Sequence, residues 1–451
     1  MGRRLIAIHD VDGDGCGDVV LDAPSDLLPG DPRVGRAYVF SGTTGKLIRE
    51  LARPTLEEVE EGFAEVVSGL GDLDADGVDE IAVSAHTAAG ASGVIAAGAV
   101  YVFSGRTGNL LQVLRSPHET FGGNFGISGA INVGDVTGDG VPDAGIGAVF
   151  DSEGGRAYVC DVTSNTVVHE LYASSGVHFG AAVGAAGDMT GDMIPDVLVL
   201  ASRERIGSTN QPRGVTYLFS GADGLLVRRM PGVRGDIVSI SDVNGDGVRD
   251  IACGVPSATP PGGDTEDGVV YIVSGATGEF LRTLAGPTPQ ETESFGASVE
   301  VSADINADGV EDLVIGDMHA TVPGGPRFAG AVYVYSGLDG SMLRRILSPR
   351  PVENGGFGAG VAVVPDANHD GRPDIAVGAP FEQLGGGPRQ AYIFHSCAAD
   401  FDGSGTVDSA DFFLFLQRFF ANAAPADFNR DGAINSGDFF DFLSMFFAGC
   451  G

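Results

Sequence analysis

Asp242-Val243-Asn244-Gly245-Asp246-Gly247-Val248-Arg249-Asp250 places oxygen-bearing side chains at positions one, three, five and nine, with glycine at six. Alternate residues of a tight loop point the same way, so three oxygens converge and a fourth closes the cage. Calcium takes about six to eight oxygens at roughly 2.3–2.6 Å and suits such a loop. The glycine lets the chain turn where a Cβ would obstruct it. Seven loops of this kind occur. Their oxygen donors are Asp10, Asp12, Asp14 and Asp18; Asp72, Asp74, Asp76 and Glu80; Asp135, Thr137, Asp139 and Asp143; Asp188, Thr190, Asp192 and Asp196; Asp242, Asn244, Asp246 and Asp250; Asp304, Asn306, Asp308 and Asp312; and Asp366, Asn368, Asp370 and Asp374. Successive loops begin 62, 63, 53, 54, 62 and 62 residues apart, which is the signature of a repeat architecture.

Around each loop the same parts recur. A short strand, A, often opens on Phe-Gly, as at Phe125-Gly126, Phe179-Gly180, Phe295-Gly296 and Phe357-Gly358. The second repeat has Phe63-Ala64, the fifth Val233-Arg234, and the first begins within strand A with its Phe-Gly missing. After the loop comes an apolar strand B, such as Asp374-Ile375-Ala376-Val377-Gly378-Ala379-Pro380. A variable segment leads to strand C, where seven of the nine tyrosines hold one position: Tyr38, Tyr101, Tyr158, Tyr217, Tyr271, Tyr333 and Tyr392. Most C strands end in Ser-Gly-x-x-Gly, which is hairpin chemistry, and lead into strand D. Glycine, 71 of 451 residues, supplies these turns. Four antiparallel strands repeated around an axis make a β-propeller, an architecture that leaves only short, protected edges.

Phe-Gly, the acidic loop and Gly-Ala-Pro, recurring in phase over residues 1–395, resemble the FG-GAP repeat of the integrin α-subunit head. That resemblance implies seven blades with calcium in the A–B loops. The seventh repeat runs from strand A to strand C and then meets Cys397, so an N-terminal strand preceding Met1, together with an export signal, is the expected source of its fourth strand. Met193 stands where loop four should have glycine, so that site is expected to be the weakest. A–B loops and C–D hairpins share one face. The other face carries the variable segments 25–36, 86–99, 203–215, 257–268 and 319–330, and variable loops on a rigid scaffold are where binding usually resides.

Residues 396–399 link the ring to a different module at 400–451. Asp400, Asp402, Ser404, Asp408 and Asp411 have the twelve-residue spacing of an EF-hand loop, with Gly405 at position six. Asp427, Asn429, Asp431, Asn435 and Asp438 repeat it 27 residues later. Each loop is followed by an apolar helical run, 412–420 and 439–447, and neither has room for a helix before it. A loop and one helix, duplicated, resemble a dockerin. The resemblance implies calcium, as many as nine ions in the whole chain, and anchoring to a cohesin-like surface protein. Twelve of the 26 phenylalanines fall here, more than a two-helix core requires, so some are expected to form a docking patch. Cys397 and Cys450 bracket the module, and a disulfide between them is one expectation, an externally reactive Cys450 the other.

Twenty-six basic against 61 acidic residues give a formal charge of −35, which disfavours nucleic-acid and anionic-membrane partners. No apolar stretch reaches the length of a membrane span. His-Glu-x-x-His and Gly-x-Ser-x-Gly motifs are absent, and no CxxC pair suggests zinc. Arg234-Gly235-Asp236 spells an adhesive tripeptide, but its place at the start of strand A argues for a structural reading. The chain therefore reads as a mainly β protein, a seven-bladed propeller with a small α-helical calcium module. Its expected role is a secreted or surface-associated, non-catalytic propeller presenting a protein- or glycan-binding face. The alternative is a polysaccharide-active hydrolase or lyase on the same scaffold.

Overall fold

The computed structural model describes residues 2–448 apart from 26–33, 55–61, 153, 174–176, 205–213, 234, 262–266, 288–293, 307, 322–323, 370–371, 383–389, 398, 403–405, 424–425 and 429–432. Seven antiparallel sheets stand around one axis, six of four strands and one of three, with the strands of each sheet in sequence order. The innermost strands are Leu5–Ile8, Phe63–Gly69, Phe125–Gly134, Phe179–Gly187, Asp236–Ile240, Ser298–Ser302 and Val361–Val364. Each packs against the next, and the last against the first, so the ring closes into a seven-bladed β-propeller. Strands B are buried along their whole length in every blade, because each is covered on both faces by neighbouring blades.

The hydrophobic core is divided into clusters, each built from two adjacent blades. The strand A phenylalanine meets the strand C tyrosine of its own blade, with ring centroids 5.6 Å apart for Phe63–Tyr101, 5.5 Å for Phe179–Tyr217 and 5.8 Å for Phe295–Tyr333. Burying each such ring contributes about 1.5–3 kcal/mol. In blades 3, 4 and 7 the tyrosine hydroxyl donates to a carboxylate just beyond strand B: Tyr158 to Asp151, Tyr217 to Glu204 and Tyr392 to Glu382.

Glycine forms the seams. The residue preceding or opening strand C takes a positive φ, +92° at Gly98 and Gly330 and +87° at Gly268. A Cβ at these three positions would fall 2.0 to 2.3 Å from the carbonyl oxygen of the next blade's phenylalanine, at Phe125, Phe357 and Phe295 respectively. Parallel bridges join Gly98 to Phe125 and Gly330 to Phe357. The missing Phe-Gly of the first repeat needs a correction. Gly2, at φ +73°, occupies its glycine position: a Cβ on Gly378 would lie 2.1 Å from the Gly2 carbonyl, as one on Gly254 would from that of Gly296.

Outer strands clasp forward. Arg49 donates to the carbonyls of Gly105 and Arg106, Arg228 to Gly275, and Arg282 to Gly337 at 3.0 Å and Leu338 at 2.9 Å. In each case strand D of one blade grips the C–D hairpin of the next. His169 does the same to Gly221 through Nε2.

Two helices follow the ring, α1 at Ser409–Phe420 and α2 at Ser436–Ala448. Both start before the apolar runs read from the sequence. Asp408 caps α1 and pairs with Asp411 in a capping box, which satisfies amides that would otherwise be unpaired at the helix start. Phe415 and Phe442 stack face to face at 4.0 Å, with Phe401 edge-on to both. Phe413, Phe420, Phe440 and Phe447 point outward and are at least 65% exposed. Arg372 ties the module to blade 7: its guanidinium donates to the Asp400 carbonyl at 3.1 Å and lies over the Phe401 ring. Cys397 is disulfide-bonded, while Cys450 lies outside the described residues, as do Asp370, Ser404, Asn429 and Asp431.

Candidate metal centres

Each A–B loop is folded by its own carboxylates. In loops one, three, four and five the position-one aspartate accepts the amides of positions four to six, as Asp10 does from Gly13, Asp14 and Gly15 and Asp242 from Gly245, Asp246 and Gly247. Position nine is buried in all seven loops, at no more than 2% exposure. Its carboxylate accepts the position-two amide in all seven, for example Val11 to Asp18 at 2.7 Å and Ala367 to Asp374 at 2.7 Å. The second oxygen accepts the hairpin glycine of strand C: Gly42 to Asp18, Gly221 to Asp196, Gly275 to Asp250 and Gly337 to Asp312. One side chain thus joins the A–B loop to the C–D hairpin. In blade 7 the Ser396 amide takes the glycine's part, donating to Asp374 at 2.6 Å.

Three groups of carboxylates converge with ligand oxygens within 4.8 Å of one another: Asp10, Asp12 and Asp18; Asp72, Asp74 and Glu80; and Asp400, Asp402 and Asp411. In loops one and two, position five does not join them. One oxygen of Asp14 and one of Asp76 accept the position-seven amide, and Asp76 also pairs with Arg106 at 3.0 Å. In blades 5 and 6 the position-five carboxylates of Asp246 and Asp308 accept the hydroxyls of Ser274 and Ser336 from the hairpin. Loops three to seven carry threonine or asparagine at position three, so they bring fewer carboxylates together. Asp408 caps its helix, and Asp438 accepts the Asn435 amide at 2.8 Å.

The electrostatics favour a cation. Burial pushes Asp18 up to about 6 and Glu80 and Asp312 up to about 7, with the neighbouring loop carboxylates adding to the rise. Asp143, Asp196, Asp250 and Asp411 shift the same way for the same first cause. Glu80 Oε1 is buried without a hydrogen-bond partner among the described residues, beside Asp72 and Asp74. A hard divalent ion satisfies such an oxygen, and its charge reverses the repulsion. In loop four Met193 adopts φ +70° and still donates its amide to Asp188 at 2.8 Å, so the turn survives the loss of glycine with backbone strain.

The FG-GAP repeat signature matches residues 234–273, 295–335 and 357–394, which are strands A to C of the last three blades. Blades 5, 6 and 7 are FG-GAP repeats. The chain is also similar to integrin alpha-5 of Xenopus laevis, 33% identical over 163 residues, covering 35% of this chain and 14% of that protein. Integrin alpha-8 of Homo sapiens is 31% identical over 149 residues, 32% of this chain and 13% of its own length. Integrin alpha-7 of Homo sapiens is 32% identical over 182 residues, 37% and 14% respectively. The matched stretch therefore spans about a seventh of these relatives. In blades 6 and 7, the phenylalanine and glycine of the motif are the two residues that press against the preceding blade to form the seam.

The Arg-Gly-Asp tripeptide lies at the start of strand A, where the sequence placed it, but its contacts across the ring were not foreseen. Asp236, part of the Arg-Gly-Asp tripeptide, lies on strand A of blade 5 and accepts the Val299 amide of blade 6 at 3.1 Å. It is a strand residue rather than the tip of an exposed loop; Arg234 is outside the described residues. Its charge acts on Glu300 of the adjacent inner strand, whose carboxyl is pushed up to about 7 by desolvation first and Asp236 second. Among the described residues no helix is long and apolar enough to cross a membrane.

Proposed function

We propose that the chain is a calcium-stabilised, non-catalytic propeller working at the cell surface or outside it, which binds a protein through the face opposite its acidic loops. The observation that carries this reading is an apolar patch on that face. Ile95, Phe121, Phe150 and Tyr172 are 66%, 75%, 43% and 65% exposed. Their loops interlock across blades 2 to 4. The Gly122 amide donates to Ile95 at 3.1 Å and the Phe150 amide to Gly123 at 3.3 Å, and the Phe150 ring lies 4.7 Å from His178. Arg156 lies over Tyr172 and pairs with Glu170, which also holds His118. Exposed aromatics with a polar rim, held on a rigid frame, fit a protein partner. The similarity to integrin alpha chains supports the same choice.

Calcium in this reading is structural. Asp10, Asp12 and Asp18, with their counterparts at Asp72, Asp74 and Glu80, would hold it, and the ion would fix each loop against its hairpin. The tail is the proposed anchor: its Asp400, Asp402 and Asp411 would hold calcium, and its outward phenylalanines would meet a cohesin-like surface protein. A screen of the full chain against extracellular-protein and glycan arrays, with calcium present, tests the face. A protein hit lost in Phe121→Ser/Phe150→Ser supports the reading. Hits confined to glycans, or untouched by that change, refute it. The alternative, a polysaccharide-active enzyme, draws on the Glu300 carboxyl of the inner strand, which feels the charge of Asp236; product formation abolished by Glu300→Gln would support it.

A further inference from the structure

Phe150 closes the apolar patch on the side of blade 4. The His178 ring stands edge-on to it, and the Ser202 and Arg203 amides donate to the carbonyls of His178 and Val177 at 3.3 and 3.2 Å. Phe150 and Arg203 hold the same place in consecutive blades, seven residues past the position-nine aspartates Asp143 and Asp196, so Arg203 follows Phe150 around the ring. Val177, 49% exposed, continues the apolar surface beside them. The Arg203 side chain is exposed and makes no ion pair or hydrogen bond among the described residues. Burial first, and then the Arg203 charge, hold the His178 imidazole below its usual range.

The carboxylates around this sector are already engaged. Glu170 holds His118 and Arg156, both at 2.9 Å. Glu119 accepts the Ala91 and Ser92 amides and the Ser92 hydroxyl. Asp151 is buried and accepts the hydroxyls of Ser116, Thr120 and Tyr158. Glu204 is buried between Tyr217 and Arg229. Among the described residues of these loops, no carboxylate is left to meet Arg203.

The sequence widens the contrast. In a chain with 61 acidic and 26 basic residues, segment 203–215 carries Arg203, Arg205 and Arg213 against Glu204 alone. Its counterparts at 86–99 and 257–268 have neither arginine nor lysine. The connections at 52–62 and 286–294 bring Glu57, Glu58, Glu60, Glu61, Glu291 and Glu293 to the same face. An acidic segment approaching that face is therefore steered toward blade 4 and away from the other sectors.

We propose, resting on the reading of this face as a protein-docking surface, that it selects a partner segment in which a pair of bulky apolar residues is joined to two or more carboxylates. The apolar pair seats on Ile95, Phe121 and Phe150, and the carboxylates lie against Arg203. Water excluded by the aromatic rings strengthens the charge contact, and the uncompensated arginine disfavours basic segments of the same shape.

A phage-displayed library of random dodecapeptides, panned on the full chain in calcium with Phe121→Ser/Phe150→Ser as counter-selection, tests this. The expected winners join two bulky apolar residues to a net charge of about −2 or lower. As synthetic peptides they should bind saturably and weaken about fivefold or more when their acids become amides. Arg203→Glu should weaken them as much, and Arg203→Lys should not. The amide peptides leave the protein unchanged, so they decide the matter even if Arg203→Glu folds poorly. Winners that are neutral or basic, or that change less than about twofold with Arg203→Glu or with their own amide forms, overturn the acidic partner and leave the docking reading standing. If no peptide separates the wild-type chain from Phe121→Ser/Phe150→Ser, both fall.

Discussion

Replacing Gly330 by alanine isolates the seam between blades 6 and 7. Two costs add. Gly330 sits at φ +92°, a region that carries about 1–2 kcal/mol of strain for a residue with a Cβ. The new Cβ would also lie 2.0 Å from the Phe357 carbonyl oxygen and 2.7 Å from its amide nitrogen, so the bridge between the blades must open. Opening it threatens the Phe357 amide's bond to Ala329 at 3.0 Å, and an unsatisfied buried amide costs about 1–3 kcal/mol. Repacking the fully buried Phe357 ring adds about 1–3 kcal/mol. The sum is about 3–8 kcal/mol. Gly45→Ala is the control: Gly45 has φ +65°, and a methyl group added there would meet no atom within 4 Å, so strain alone remains, about 1 kcal/mol after the unfolded-state gain. The chain has no tryptophan, so far-UV circular dichroism in urea, with calcium in excess, is the suitable readout. If Gly330→Ala lowers stability no more than Gly45→Ala does, the seam is not the close contact that the glycine requires.

Other outcomes follow from the loops. Met193→Gly should raise stability by about 0.5–1 kcal/mol, since the side chain is 90% exposed and the φ of +70° suits glycine; the urea midpoint measures it. Chelation with EDTA should lower the melting temperature, and the drop should be larger at pH 8 than at pH 6. The sign follows from the folded-state carboxyls of Asp18, Glu80 and Asp312, raised to about 6 or 7. Without metal, the folded state binds protons more tightly than the unfolded state, so stability rises as pH falls from 8 through 6. With calcium bound, protons compete with the ion and that trend should vanish or invert; calorimetry with and without EDTA separates the cases. Arg372→Ala should loosen the C-terminal module from blade 7, removing one hydrogen bond and a cation–π contact, and speed limited proteolysis near residues 396–400.

The ring was legible because its signals are local and repeated. Loop spacing, the phase of Phe-Gly against tyrosine and the hairpin glycines each describe one blade, and seven copies in phase reinforce one another. The EF-type spacing likewise foretold the convergence of Asp400, Asp402 and Asp411. What escaped depends on residues brought together from afar. Asp76 and Asp308 read as ligands by spacing, yet Arg106 and Ser336, some thirty residues on, draw their carboxylates toward the hairpin. Gly2 could not be recognised as a seam glycine without seeing Gly378 pressed against its carbonyl. Nothing in the local sequence of Glu382 announces that one of its oxygens lacks a donor; only comparison with Glu204 in the folded ring does.

The forward clasps give the ring a polarity. Each of Arg49, His169, Arg228 and Arg282 holds the neighbour that follows it, whereas among the described residues no outer strand clasps blade 3 from blade 2, blade 7 from blade 6 or blade 1 from blade 7. Under tension applied at residues 2 and 395, rupture should begin at one of these unclasped junctions and spread to the clasped sectors afterwards. A force-extension trace would then show a small first step, followed by taller, evenly spaced peaks as the clasped sectors yield.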